Sequence, residues 1–594
     1  MKTFSKYSLP MAAVLLLLIF FLRLPPLKNC LLSEEAPLKG KKRNTLSKQL
    51  DRSDALIMAV ISLVYSVFAF WNLGNLGSPE TFLNMSDGTV HELVLDLNGG
   101  TVTKLMAYEG VGIGSYSLIY TNDGITEYDL ADLQQSHADD LKWHEVPINY
   151  IITGGTIKIR GSGNVWLGEL VALNDNGEIV PFISGPSELI DEAEYCPERS
   201  TYMNSSYFDE IYHARTAWEH LNGVYPYEIT HPPLGKIILG IGISIFGMTP
   251  FGWRFSGTFL GVLMLPILYV FCKKLYGGKA VPAACSMLFG FDFMHFVQTR
   301  IATIDVYAVF FILLMYLFMY LFLDEGKLRW LALCGISFGM GAASKWTCIY
   351  AGAGLAVLWL IWVIFSVRSK KLDASGFVKN ALFCVGFFIL VPCMIYYLSY
   401  IPYGRAMHIS NIFSADYLRV VLDNQSYMFN YHSGIVATHP YSSRWYQWLL
   451  DIRPILYYLD YTPEGAHVSF GAFVNPIICW GGLICLAFLV YLAIARKDRI
   501  SLFILIGYLA QLLPWVLVTR LTFAYHYFPC VPFLILAIGR LFALVRLNDK
   551  EWQLTIWGFV GIAGAVFLLF YPSLDGLPVS NASSLRSWLP TWPF

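Results

Sequence analysis

Between Ser205 and Phe255 the chain reads SSYFDEIYHARTAWEHLNGVYPYEITHPPLGKIILGIGISIFGMTPFGWRF. Two adjacent carboxylates, Asp209 and Glu210, precede His213 and Arg215; His231, Pro232, Pro233 and Lys236 then open a helix, and Arg254 stands near the start of a later apolar run. Such a set suits group transfer from a phosphate to a hydroxyl. A carboxylate takes the hydroxyl proton, and cations hold the departing phosphate. Asp209 suits the first task, Lys236 and Arg254 the second. A lone carboxylate beside a helix is ordinarily just solvated; the crowding of FDE, HPPLGK and WR in one short stretch favours chemistry.

The elements that must carry these residues are membrane helices. With 594 residues, 56% of them hydrophobic and only 14% charged, the chain belongs in a bilayer. Its net charge of −1 argues against a nucleic-acid partner, whose binding needs a basic surface. A bilayer core takes roughly 20 apolar residues per helix. By that measure eleven spans are expected, at 55–73, 252–272, 280–297, 302–323, 328–344, 346–367, 380–400, 472–495, 500–519, 523–545 and 553–571. Leu9–Leu24, preceded by Lys2 and Lys6, adds a twelfth span or a signal-like anchor. Lysine and arginine in short loops resist translocation. The basic segments Lys39–Arg52, Lys273–Lys279, Arg368–Lys379, Arg496–Arg499 and Arg540–Lys550 therefore mark the cytoplasmic side, leaving 74–251, 401–471 and the tail from Tyr571 outside. The eleven cysteines lie mostly in apolar runs without a CxxC pair, and read as packing residues. No metal site and no cofactor are expected. The sequons at Asn84, Asn204, Asn424 and Asn581 all fall in predicted outer segments.

From 85 to 183 the pattern changes to short alternating runs, VHELVLDL, TVTKLMAY, YSLIYT, TIKIRG and NVWLGELVAL, separated by NGG, NDG, GSG and NDNG turns. This predicts an all-β sandwich inserted in the first outer loop. GSYSLIYTNDG, the Trp143 segment and TIKIRGSGNVWLGELVALNDNGEIV together resemble a discoidin-type, galactose-binding-like jelly roll. That resemblance implies a carbohydrate- or acceptor-binding module; an insertion with a purely structural part is the alternative.

A DE pair in the first outer loop, then HPPLGK, then GWR, resembles the protein O-mannosyltransferases, members of the GT-C membrane glycosyltransferases. QTRIATID (Gln298–Asp305), ASKWT (Ala343–Thr347), HPYSSRWYQWLLDIRP (His439–Pro454), NPIICWGG (Asn475–Gly482) and YHYFPCVPF (Tyr525–Phe533) follow in family order. The resemblance covers the membrane part and not the β-domain; no MIR-type domain stands in the later outer loop, so the bacterial form is the better match. It implies that Asp209 is the catalytic carboxylate supported by Glu210, and that Arg254 holds the donor phosphate. Contact with phosphate or sugar is extended to His213, His231, Lys236, Arg300, Asp305, Lys345 and His526. For Arg300 and Asp305 a structural ion pair between helix ends is the competing reading, and for Lys345 a side chain reaching to the interface. The 401–471 loop, with Arg405, His408, Arg419, His432, His439, Arg444 and Trp445, is expected to cover the donor.

The expected architecture is thus an α-helical polytopic membrane protein of GT-C type with about 11–12 spans and an inserted β-sandwich. Its divisions are 1–54 (hydrophobic segment and basic linker), 55–80 (first main span), 81–190 (sandwich), 191–400 (catalytic loop and spans), 401–471 (outer loop) and 472–594 (last spans and tail). The resemblance implies an inverting transferase moving mannose, or another hexose, from a polyprenyl-phosphate carrier to protein Ser/Thr hydroxyls at the outer face of a cell membrane, with an α-linked product. Three alternatives stay open: a GT-C enzyme acting on a lipid or wall polymer, a transporter, and a membrane-tethered carbohydrate-binding protein. Against a transporter, the ionisable residues gather at one face and no inverted repeat is visible.

Overall fold

The computed structural model describes Ala12 and residues 47–87, 89–148, 150–544, 549–579 and 583–593. The stretch Leu9–Leu24, the sequon at Asn581 and most of the first basic segment lie outside these residues. The chain divides into two compact units, one of 72–228 and 236–256, the other of the remaining residues.

Among the described residues nine helices are long and apolar enough to cross a bilayer, including Arg52–Phe70, Pro250–Tyr276, Asp305–Glu325, Thr347–Arg368 and Pro476–Ala495. A bent pair, Ala280–Gly290 and Phe293–Arg300, raises the number to ten. The remaining expected span, 328–344, is the 17-residue helix Leu328–Ser344. The bend of 56° has a visible cause. Asp292 caps the second helix by accepting from His295 N at 2.9 Å, and its other oxygen accepts from Asn475 N at 3.0 Å. In the expected span at 380–400 a π turn, Gly386–Leu390, precedes Pro392, whose missing N–H breaks the regular ladder.

Arg52–Phe70 opens on a capping box. Asp51 accepts from Ser53 N and Asp54 N, and Asp54 accepts from Asp51 N. Asp54 is itself fully buried, bonded to Tyr269 at 2.7 Å and Lys273 at 3.0 Å. A lysine read as a topology signal is therefore also a buried tie between two helices.

Residues 83–184 form a two-stranded pair of Thr101–Val102 with Ile152–Thr153 and two five-stranded antiparallel sheets. One runs in the order Leu83–Asn84, Trp166–Leu173, Lys104–Glu109, Lys142–Val146, with Ile179–Val180 added beside Trp166–Leu173. The other runs Phe182–Ser184, His91–Leu97, Thr156–Asn164, Ile113–Thr121, Tyr128–Gln135. Strand alternation sends Leu95, Leu118, Ile157 and Ile159 inward from the second sheet to meet Leu105, Ala107, Leu167 and Leu170 of the first. The predicted alternating runs thus pair as a sandwich. No two cysteines are bonded among the described residues.

The 401–471 segment carries the helix Ala415–Gly434 and a hairpin of Ile455–Tyr461 with His467–Ala472. The sequon residues Asn204 and Asn424 are buried, their amides donating to Arg199 O and Ile229 O.

Candidate active site

The unit that contains the sandwich also carries the acidic pair. Helix Glu210–Asn222 stops at Gly223, whose φ of 67° is the left-handed conformation that ends helices. Its first turn is unusual. Phe208 has φ 49°, a region that costs a bulky side chain energy and persists only where the surroundings hold it. Asp209 occupies the cap position, yet its side chain makes no capping bond. An aspartate there normally turns back onto the helix N–H groups; this half-buried carboxylate does not.

Glu210 is fully buried, and the cause is Arg254. Arg254 Nε and Nη2 donate to the two Glu210 oxygens, each at 2.7 Å. Nη1 donates to Leu73 O at 2.8 Å and Tyr202 O at 2.7 Å, and Nη2 to Ser205 O at 3.2 Å. All five guanidinium N–H groups are spoken for. The Tyr207 ring lies 4.8 Å from the guanidinium carbon. Arg254 is brought here by helix Pro250–Tyr276, whose start is fixed by Thr249 accepting from Gly252 N at 3.0 Å. Backbone approach is close: a Cβ at Gly74, where φ is 147°, would stand 2.9 Å from Arg254 Nη1. The expected phosphate cation is thus engaged by a carboxylate and three carbonyls.

Lys236 has a comparable fate. Its ammonium is 1% exposed and bonds to Glu228 Oε2 at 2.5 Å and Glu228 O at 2.6 Å. His213 Nδ1 lies 4.0 Å from the same carboxylate. Glu228 was not singled out in the sequence; its place in YEITHPPLGK, eight residues before the lysine, was the available signal.

In the other unit, residues remote in sequence converge. Asp305 pairs with Lys345 at 2.7 Å, and Arg300 pairs with Asp575 at 2.6 Å while donating to Ala69 O and Trp71 O. The competing reading of an Arg300–Asp305 pair gives way to two separate pairs: the break at Ile301–Ile304 sends the two side chains to different neighbours. Lys345 does not reach out to an interface; it is 8% exposed, with its ammonium 5.6 Å from the Tyr525 ring centre.

His231 lies 5.0 Å, ring to ring, from His432, and His432 Nε2 meets Thr230 O at 2.8 Å. Burial pushes His432 down to about 4, and the charges of His231, Arg520 and Lys345 add to that. Four segments, around 231, 345, 432 and 520, thus share one electrostatic neighbourhood. Arg520 was missed in the sequence. It is half-buried between two spans, donates to Leu521 O at 3.3 Å and pairs with no carboxylate among the described residues. His526 packs against Trp515 at 4.3 Å and Tyr525 at 4.5 Å, its Nδ1 turned to Phe523 O and N. Of the cationic residues expected to cover a donor, His432 joins this group; Arg419 is exposed beside Asp416, and Arg444 donates to Thr519 O at 2.7 Å.

Chemically, one unit offers an uncapped carboxylate beside a buried, neutralised one. The other offers Lys345, Arg520, His231 and His432 among aromatic rings, a setting that attracts a phosphate and the face of a sugar.

Comparison with known proteins agrees with this chemistry. Residues 230–396 match the family model described as dolichyl-phosphate-mannose-protein mannosyltransferase, and 417–592 match the C-terminal four TMM region of protein-O-mannosyltransferase, together more than half of the chain. The polyprenol-phosphate-mannose–protein mannosyltransferase of Mycobacterium tuberculosis is 25% identical over 65% of this chain and 86% of its own length. That of Mycolicibacterium smegmatis is 26% identical over 65% and 87%. In fold, the chain is similar to the Saccharomyces cerevisiae protein O-mannosyltransferase Pmt1–Pmt2 complex bound to the sugar donor, with a TM-score of 0.58 and 13% identity over 66% of this chain and 89% of that one.

Proposed function

Because the chain belongs to the protein O-mannosyltransferase family of GT-C membrane glycosyltransferases, we propose that it moves mannose from a polyprenyl-phosphate carrier to serine or threonine hydroxyls of proteins, on the extracytoplasmic face of a cell membrane. In this reading Asp209 is the general base. It takes the proton of the acceptor hydroxyl as that oxygen bonds to the anomeric carbon, and the bond from that carbon to the carrier phosphate breaks on the opposite face. The linkage inverts, and the carrier leaves as a polyprenyl phosphate.

The observation that carries the assignment is the state of the acidic pair. Glu210 is spent on Arg254, whereas Asp209 sits at a helix start without turning back to cap it. A carboxylate used as a cap would spend an oxygen on the helix N–H groups, and Asp209 is not committed to that role. Arg254 acts through Glu210 in this scheme, fixing the turn that presents Asp209. Charge building on the departing phosphate falls to Lys345 and Arg520, with His231, His432 and His526 as hydrogen-bonding and ring contacts. Lys236 and His213 support the fold of the unit that carries the acidic pair through Glu228, and Arg300 that of the other unit through Asp575. Residues 81–190 are read as an insertion between the first main span and the catalytic segment 191–400.

The test is direct. Detergent-purified protein is given polyprenyl-phosphate mannose and a serine/threonine-rich peptide, and the product is read by mass and by α-mannosidase sensitivity. Mannosylated peptide is the expected product. Mannose found on a lipid or glycan acceptor and never on peptide would assign the enzyme to a different branch of membrane glycosyltransferases.

A further inference from the structure

The sandwich is joined to the acidic helix by more than the chain that links them. Ser206, three residues before Asp209, donates from its N to Leu141 O at 3.0 Å and from its hydroxyl to Asp140 O at 2.7 Å. Ser205 Oγ accepts from Trp143 N at 3.1 Å. The 140–143 segment thus lies along the strand-like approach to Asp209, and Lys142–Val146 is a strand of the sandwich.

A second tie reaches the helix itself. Arg215 Nη1 donates to Asp140 Oδ2 at 2.5 Å and meets His137 Nδ1 at 2.6 Å, while Nε donates to Glu219 at 2.7 Å. Its guanidinium carbon lies 4.4 Å from the Tyr227 ring. Asp140 has no exposed surface, and its other oxygen accepts from Gly112 N at 3.3 Å. Further along the same helix, Trp218 makes edge contacts with Phe82 at 6.1 Å and Trp166 at 5.8 Å, the latter on a central strand of the sandwich. Three successive points, at 205–206, 215 and 218, therefore hold this helix and the segment before it to the sandwich. The segment between the first two contains Phe208 with its positive φ, a conformation that needs such external support. Leu141, on the sandwich side, also has a positive φ, of 58°.

We infer that the inserted sandwich positions the catalytic carboxylate, with Asp140 and Arg215 as positioning residues that set the place of Asp209 through the helix Glu210–Asn222. This rests on the assignment of Asp209 as base. Its 137–143 edge lies against the 205–215 segment that carries the acid pair. Binding of a glycan by the sandwich is not required for this task.

The experiment uses the full-length purified enzyme with Asp140→Asn and Arg215→Lys, and Ser206→Ala as a milder third variant that stays informative should a buried substitution unfold the protein. Two readouts are taken. In hydrogen exchange, peptides covering 205–219 are expected to exchange faster in the variants, with peptides from the membrane helices unchanged. In steady-state kinetics kcat is expected to fall by about 10- to 100-fold, the scale of a misplaced catalytic group, with the donor KM unchanged. The Asp140→Asn/Arg215→Lys double variant should lose no more than the worse single one. Unchanged exchange in 205–219, or a wild-type kcat at equal folded amounts in all variants, overturns the inference. The exchange readout needs no substrate, so it stays decisive for the clamp even if the wild-type enzyme proves to use another acceptor.

Discussion

Glu210 and Arg254 face each other through two parallel hydrogen bonds of 2.7 Å, and neither side chain reaches solvent. A buried pair of this kind adds little net stability compared with apolar residues, but removing one partner strands a charge in a dry site. Arg254→Lys keeps the charge and loses the fork. The expected result is destabilisation of about 3 kcal/mol or more together with loss of transfer. Thermal unfolding and activity of the same purified sample check it. Lost transfer with unaltered stability would instead return Arg254 to the donor phosphate.

Arg520 pairs with no carboxylate among the described residues, so its substitution should spare the fold. In the proposed role, Arg520→Gln removes a hydrogen bond to the charged donor phosphate, worth about 1.5–3 kcal/mol. Donor KM should therefore rise by about 10- to 100-fold, with acceptor KM and melting temperature close to wild type. Donor titration at saturating peptide reads this; an unchanged donor KM removes Arg520 from the site.

His432 supplies a pH signature. Its folded value, about 4, is below the ordinary 6.5, so the folded protein holds the ring neutral while the unfolded chain takes up a proton more readily. Above pH 6.5 the ring is neutral in both states and its contribution is fully present. Between pH 6.5 and 4 the unfolded state binds more protons, and stability falls as the pH drops. His432→Gln should flatten the decline of melting temperature across that window. An identical pH profile in the variant contradicts the assignment. In the proposed site, a neutral His432 at neutral pH leaves the phosphate charge to Lys345 and Arg520.

What the sequence made legible was what depends on local pattern. Apolar runs of helix length and the alternating β runs between Gly- and Asn-rich turns each announce their element without knowledge of the neighbours. The acid pair was visible for the same reason, as unlike residues crowded in one stretch. Partners were not legible. Arg300 and Asp305 stand five residues apart, yet the chain turns between them and Arg300 finds Asp575, far along the sequence. Lys236 read as a free cation because the burial that forces it onto Glu228 is a property of the packed helix. Arg520 carried no motif, and only the convergence of the 231, 345 and 432 segments gives it meaning. The 280–297 run looked like one straight span; Asp292, a capping residue inside it, was the clue to its bend.

The central claim is that Asp209, not its buried neighbour, takes the acceptor proton. Asp209→Asn preserves the size of the side chain and removes its basic oxygen, so the variant separates proton transfer from packing. The decisive measurement is the rate of mannose transfer to peptide by this variant at saturating donor and acceptor, at an amount of folded enzyme equal to wild type. The predicted result is a fall of about 100-fold to 10,000-fold with donor affinity retained. Transfer at the wild-type rate would contradict the account.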